Sequence, residues 1–170
     1  MRQDNRGISL VEVMVVIAII AVLGGVGIWG INALTGRPAQ QCSQKIVYSL
    51  ERHRTTATGK VSALYELCEK DSKIYVREWV SNGSNPIDTS AAPSSEIQIG
   101  AVGVTVEYTV GSDPTRNNIR DFPLRLSFDR SSGSFKPLAG GGYCKKIYVS
   151  SGGREYSVTL VPLTGKVYID

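Results

Sequence analysis

Hydrophobic and polar positions follow three different patterns along this chain of 170 residues. Residues 13–31 are 19 consecutive residues without a formal charge, close to the roughly 20 that a helix needs to cross a hydrocarbon core of about 30 Å. Apolar residues then recur every three or four positions up to residue 57, and from residue 61 they alternate with polar ones. The pattern predicts an apolar helix, an amphipathic helix and a β domain, in that order.

One carboxylate, Glu12, stands at the start of the apolar segment. A carboxylate at the centre of a membrane helix costs on the order of 2.5–3.5 kcal/mol, so its presence calls for a reason. Ile8 lies four residues earlier, on the same face of a helix and directly after Gly7. Cleavage between Gly7 and Ile8 would place a new α-amino group beside Glu12, and their attraction would keep the carboxylate ionised.

Residues 7–19, Gly-Ile-Ser-Leu-Val-Glu-Val-Met-Val-Val-Ile-Ala-Ile, resemble the amino-terminal signature of type IV prepilins and type II secretion pseudopilins. The resemblance implies that a prepilin peptidase cleaves between Gly7 and Ile8, that Ile8 is N-methylated, and that Glu12 docks the subunit onto its neighbour in a helical filament. The sequence departs from the family at Ile8, where Phe or Met is more common. A secretory signal peptide is disfavoured because the apolar segment is too long and Glu12 interrupts it.

The same resemblance implies a location and a set of partners. The precursor would cross the bacterial cytoplasmic membrane once, with its amino terminus in the cytoplasm, and would then be extracted into an extracytoplasmic filament. Its partners would be the prepilin peptidase, other pilin or pseudopilin subunits and the cytoplasmic membrane. Arginines and lysines on the two flanks of the apolar segment do not by themselves decide its orientation.

A second helix is predicted after Pro38, which marks a kink or a break. Thr58-Gly59 is a suitable stop for this helix. His53 lies on its apolar stripe, and we interpret it as a packed or partly exposed helix residue, because no partner set for a catalytic base is evident. The stripe consists of Ala39, Cys42, Ile46, Leu50, His53 and Ala57.

The alternating region predicts about seven or eight antiparallel strands. Nine segments carry strand-like character, some of them short: 61–67, 73–80, 96–99, 102–110, 123–128, 134–138, 144–150, 155–161 and 166–169. The fold class is therefore α+β and pilin-like: a long N-terminal helix, half membrane-spanning and half amphipathic, packed on an antiparallel β-sheet domain. The predicted organisation is a leader (1–7), a transmembrane and filament-core helix (8–35), an amphipathic helix (36–58) and a β domain (59–170).

The second half of the chain is similar to GspH/FimT-like minor pilins and pseudopilins. The similarity lies in the topology, a hairpin from Phe128 to Gly133, and the sequence Thr164-Gly165-Lys166-Val167 in the closing strand pair. It implies a minor subunit that caps or primes a type IV pilus or a secretion pseudopilus. The family carries no catalytic set, so the resemblance implies no enzyme activity, cofactor or metal.

Three cysteines, Cys42, Cys68 and Cys144, lack the close spacing of a zinc or redox motif. Two interpretations stay open. Outside the membrane one disulfide could form, and Cys68–Cys144 is the preferred pair because both residues flank predicted strands. Alternatively, all three are buried, small apolar residues.

The formal net charge of +4 is mild, and basic residues are spread through the chain. The densest clusters, Arg52-His53-Arg54 and Lys145-Lys146, favour solvated surface charge over a nucleic-acid stripe. Alternatives to a minor subunit are a major pilin, a DNA-binding competence pilin and a membrane-anchored extracellular enzyme. The enzyme is disfavoured by the single histidine and the lack of a nucleophile motif.

Overall fold

The computed structural model describes residues 10–21, 36–59, 61–82 and 87–170. These residues belong to two compact units, one within Met1–Thr35 and one spanning Gly36–Asp170. In the first unit, residues 10–21 form helix α1. The second unit combines one helix with antiparallel strands, so the α+β prediction is confirmed. The predicted continuation of the first helix through residues 22–35 lies outside the described residues.

Helix α2 spans Arg37–Thr58. Pro38 is accommodated in its first turn, where the backbone N–H that proline lacks would have no intrahelical partner. At the other end, the N–H of Gly59 donates to the carbonyls of Thr55 and Thr56 and closes the last turn. The predicted apolar stripe is confirmed, because all six of its members are buried, His53 included.

The strands of the second unit form two sheets. A four-stranded sheet has the order β3-β2-β1-β6, and a five-stranded sheet has the order β5-β4-β7-β8-β9. The strands are β1 (Val61–Lys70), β2 (Lys73–Asn82), β3 (Ser95–Gly100), β4 (Thr105–Val110), β5 (Asn117–Asn118), β6 (Leu124–Leu126), β7 (Cys144–Ser151), β8 (Arg154–Val161) and β9 (Lys166–Ile169).

The hydrophobic core lies between α2 and both sheets. α2 contacts β1 and β3 of the first sheet and β7, β8 and β9 of the second. Every residue of the core cluster lies between Ala39 and Val167, so the second unit contains a core of its own. Burial of apolar area, at about 25 cal/mol per Å², is the main force that holds the helix on the sheets.

Two strand predictions were wrong in extent. The predicted strand 134–138 is reduced to a single bridge between Phe128 and Phe135, with the Phe135 N–H donating to the Pro162 carbonyl. β4 begins at Thr105, which leaves Val102 in a turn with 65% of its surface exposed. In both cases the alternation in the sequence extends beyond the residues that find a neighbouring strand.

Candidate assembly site

Helix α1 is apolar on every side and exposed on every side. Its large hydrophobic side chains, from Leu10 to Ile20, are between 44% and 74% exposed. Helices that are hydrophobic all round are normally buried, either inside a large protein or in a membrane. A surface of this kind must be covered by lipid or by other protein when the molecule is at work.

Glu12 is the one charged residue of α1. It lies one helical turn before Val16, and the two line the same shallow depression together with Val13 and Ile17. An exposed carboxylate beside apolar side chains suits a partner that brings a cation to a dry interface, where a charge pair is stronger than in water. The predicted processing residues Gly7 and Ile8 lie outside the described residues.

The described residues contain no helix that combines the length and the apolar character required to cross a bilayer. Most of the segment predicted to do so, residues 8–35, falls outside the described part of the chain.

In the second unit, a buried polar cluster fastens α2 to β2. The guanidinium Nη2 of Arg52 lies 2.6 Å from Oε2 of Glu78, and the Nδ1 of His53 lies 3.8 Å from Oε1 of the same carboxylate. His53 packs against the rings of Tyr65 and Phe128. Burial lowers the pKa of His53, so its imidazole is neutral at physiological pH.

This cluster holds α2 against the first sheet. His53 Nε2 and Glu78 Oε1 are buried without a hydrogen-bond partner among the described residues. No group of three or more histidine, cysteine or acidic side chains within the described ranges is arranged to hold a metal ion. The sequence interpretation of His53 as a packed helix residue agrees with its 1% exposure.

The three cysteines, including the Cys68–Cys144 pair considered above, are free and buried in the structure. Cys68 lies opposite Tyr75 within the first sheet, and Cys144 opens β7 in the second sheet. Burial raises the pKa of the Cys42 and Cys144 thiols to about 12. Because the thiolate is the reactive form, these cysteines behave as small apolar residues.

A ladder of alternating charges crosses all four strands of the first sheet. Arg125 of β6, Glu66 of β1, Arg77 of β2 and Glu96 of β3 are successive partners in the register. The Nε of Arg125 lies 2.6 Å from Glu66 Oε2, and the Nε of Arg77 lies 2.7 Å from Glu96 Oε2. Arg77 Nη1 also lies 3.5 Å from Glu66 Oε1, which links the two pairs.

Glu66 is only 3% exposed because the two arginines cover it. Sequence reasoning missed this charge ladder. Alternation along each strand places these side chains on one face, but their mutual contact depends on the register between strands, and a slip of one residue would reverse it.

Both basic clusters noted in the sequence are engaged within the molecule. Arg52 binds Glu78, and the Nε of Arg54 donates to the Gly133 carbonyl at 3.0 Å. Lys146 lies 3.2 Å from the carboxylate of Asp170, the last residue of the chain. These partners support the interpretation of the clusters as structural and solvated charge.

Comparison with known proteins identifies the class of the apolar segment. Residues 2–28 match the family described as Prokaryotic N-terminal methylation motif. The chain is also 27% identical over 144 residues to the type IV major fimbrial protein FimA of Dichelobacter nodosus, covering 77% of this chain and 85% of that protein. No solved structure matches the chain significantly.

The amino-terminal segment therefore carries a prokaryotic N-terminal methylation motif, and the chain is similar to a type IV fimbrial protein, in agreement with the resemblance seen in residues 7–19. The match over residues 2–28 includes Glu12, so the carboxylate and the exposed apolar surface of α1 belong to the family motif.

Proposed function

We propose that the chain is a structural subunit of a type IV filament that is assembled through α1. The observation that carries this proposal is the exposure of an all-apolar helix with one carboxylate, inside a methylation motif. Such a helix is unfavourable in water on its own, and a filament core of like helices would cover it.

The proposal assigns roles to three residues of the motif. A prepilin peptidase cleaves between Gly7 and Ile8, the new amino terminus at Ile8 is methylated, and the carboxylate of Glu12 pairs with an amino terminus in the neighbouring subunit. Before assembly the subunit resides in the cytoplasmic membrane, with the Gly36–Asp170 unit on the outer side.

Mass spectrometry and amino-terminal sequencing of the mature chain test the processing step. The expected product starts at N-methylated Ile8, and Gly7→Ala leaves the leader attached. A mature chain that starts anywhere else contradicts the assignment.

The yield of sheared filaments tests the assembly step. Glu12→Ala is expected to reduce the yield by at least tenfold, while the Gly36–Asp170 unit stays folded. Glu51→Ala is the matched control, because it removes an exposed glutamate from α2 and leaves α1 intact. Wild-type yields from the Glu12→Ala variant would refute the role of Glu12.

Two roles are compatible with this function: the repeating (major) subunit of a filament, or a minor subunit present in a few copies. The FimA relative is a major fimbrial protein, and it supports a repeating subunit of a pilus. The resemblance of the second half to GspH/FimT-like proteins supports a minor subunit of a pilus or secretion pseudopilus. The amount of the chain in sheared filaments decides between them: a dominant band identifies the repeating subunit, and a trace amount identifies the minor one.

A further inference from the structure

A groove runs between α2 and β3, at one edge of the first sheet. β3 is the outermost strand of this sheet, and side chains of β3 and α2 border the groove. The groove encloses about 240 Å³, below the roughly 300–1,000 Å³ of pockets for small-molecule ligands. Its volume suits a single large side chain. Its apolar floor and walls are Val76, Ile97 and Ile99, with Tyr48, Lys45 and Arg52 at the rim.

The groove is open, and its rim is basic. Tyr48 is 69% exposed and Ile97 is 41% exposed, so apolar surface faces solvent. Arg52 is bound to Glu78, whereas Lys45 takes part in no ion pair with any described residue. The groove therefore favours an apolar side chain that is accompanied by a negative charge.

An exposed side chain of that kind lies next to the opposite edge of the same sheet. Phe122 is 61% exposed and precedes β6, the strand at the far edge. Its turn is fixed, because the N–H groups of Asp121 and Phe122 both donate to the Asn118 carbonyl. A rigid turn presents Phe122 without a large loss of conformational entropy on binding.

The charge beside Phe122 is complementary to the groove. Asp121 is exposed, and its carboxylate has no ion-pair partner in the described part of the chain. The other charge of the turn, Arg120, is bound to Glu69 at 3.0 Å. Phe122 lines a shallow depression with Leu124 and Leu138 and stays 61% exposed. With Asp121 it forms an apolar plug that carries a free negative charge, whereas the groove carries a free positive charge.

We propose that Phe122 of one copy inserts into the α2–β3 groove of the next copy, with Asp121 paired to Lys45 across the contact. The inference rests on the proposed filament function. Plug and groove lie at opposite edges of a four-stranded sheet, about 14 Å apart at the usual strand spacing. The contact is therefore heterologous: when two copies join, one keeps a free plug and the other a free groove, so further copies can add at both ends.

The contact is too small to hold copies together alone, since stable interfaces bury about 800 Å² on each partner. It supplements the interface made by α1 and sets which side of one subunit meets which side of the next. Apolar insertion supplies the affinity, and the Asp121–Lys45 pair supplies the register.

Chemical cross-linking of the full chain in sheared filaments tests the contact directly. The variant that combines Gln98→Cys at the groove with Pro123→Cys beside the plug leaves Phe122, Asp121 and Lys45 in place. It is treated with a short bismaleimide, and the two single variants serve as controls. The three native thiols are buried and remain unreactive. The expected result is a ladder of dimers, trimers and longer species from the double variant, and monomers from each single variant.

Charge exchange tests the pairing. Lys45→Glu and Asp121→Lys are each expected to lower filament yield at least threefold, and their combination is expected to restore it. Phe122→Ala is expected to lower the yield as well, whereas Leu163→Ala, which removes an 84% exposed leucine from a turn before β9, leaves it unchanged. Circular dichroism of each variant checks that the fold is intact.

The outcomes separate this contact from the proposed function. Filaments that form without a ladder from the double variant, or that cross-link equally in a single variant, overturn the contact and leave the filament function standing. Absence of any filament of the wild-type chain, in cells that assemble other pilins, overturns both.

Discussion

His53 is the only histidine of the chain, and it lies in the core with an unpaired Nε2. Burial lowers its pKa, because the charged imidazolium would lose its hydration beneath α2. The nearby Glu78 carboxylate opposes this shift without reversing it. In the unfolded chain the imidazole titrates near pH 6.5, so over a range below that value the unfolded state binds more protons than the folded state.

The free energy of unfolding of the fragment 36–170 is therefore expected to fall as pH drops from 7 to 5, with a slope of at most about 1.4 kcal/mol per pH unit. Urea denaturation at each pH measures it. In His53→Leu this part of the pH dependence should vanish, whatever the change in absolute stability. An unchanged slope in that variant would contradict the assignment to His53.

Gly165 is a second residue whose identity is required by its surroundings. Its φ of +65° is in the left-handed region, and a Cβ at this position would overlap the carbonyl oxygen of Gly133. That carbonyl also accepts a hydrogen bond from Arg54 of α2. Three segments that are distant in sequence meet at this point, so an added methyl group cannot be absorbed by one flexible side chain.

Gly165→Ala is expected to destabilise the fragment 36–170 by about 3 kcal/mol, since it combines backbone strain with overpacking. Gly103→Ala is the matched control: Gly103 has a φ of +86°, but nothing lies within 4 Å of an added Cβ. Backbone strain alone should cost about 1–2 kcal/mol. Equal losses in the two variants, measured by urea denaturation, would show that the close approach to Gly133 is unimportant.

At the scale of elements, the charge ladder ties the strands of the first sheet together. Its energy is unevenly distributed, because Glu66 is buried while the side chain of Arg125 is 56% exposed. Breaking an ion pair that includes a buried carboxylate costs more free energy of unfolding than breaking an exposed pair. An exposed pair contributes about 0–1 kcal/mol.

We expect Glu66→Gln to destabilise the fragment 36–170 by about 2 kcal/mol. Arg125→Ala should cost less than about 1 kcal/mol, because Arg125 is exposed and Arg77 still pairs with Glu66. A double-mutant cycle with Arg77→Ala measures the coupling along the ladder. If Arg125→Ala costs as much as Glu66→Gln, the energy of the ladder does not follow burial.

The elements themselves were largely predictable from local pattern. The buried stripe of α2 and the strands β1, β2, β7 and β8 follow from periods of 3.6 and 2, which depend on neighbouring residues only. The two-residue strand β5, Asn117–Asn118, was missed because two asparagines carry a turn signal and no alternation. It forms because β4 offers it a free edge.

At the scale of the whole molecule, the Gly36–Asp170 unit has a core independent of α1. Every described residue of its core cluster lies between Ala39 and Val167, in α2, both sheets and their connections. Helix α1, by contrast, has an exposed apolar surface, which is stable only when lipid or other protein covers it. The second unit thus has a core of its own, whereas the large side chains of α1 are all exposed.

The fragment 36–170 is accordingly expected to be soluble and to unfold cooperatively, within a few degrees of the same unit in the full chain in detergent. Circular dichroism and calorimetry measure both transitions. The control is a fragment that starts at residue 44, which lacks Ala39 and Cys42 of the stripe and should melt at a lower temperature. A fragment 36–170 that is unfolded would show that α1 contributes to the core.

The sequence by itself determined the apolar segment with Glu12, the buried face of α2 and most of the strands. Each of these features depends on the spacing of residues that are close along the chain. Only the tertiary structure decided what joins distant residues. The division into two sheets placed Cys68 and Cys144 in different sheets, the register built the ladder around Glu66, and the strand order placed the α2–β3 groove and the turn of Phe122 at opposite edges. These features depend on which strand lies beside which, and a pattern along one strand carries no information about its neighbour.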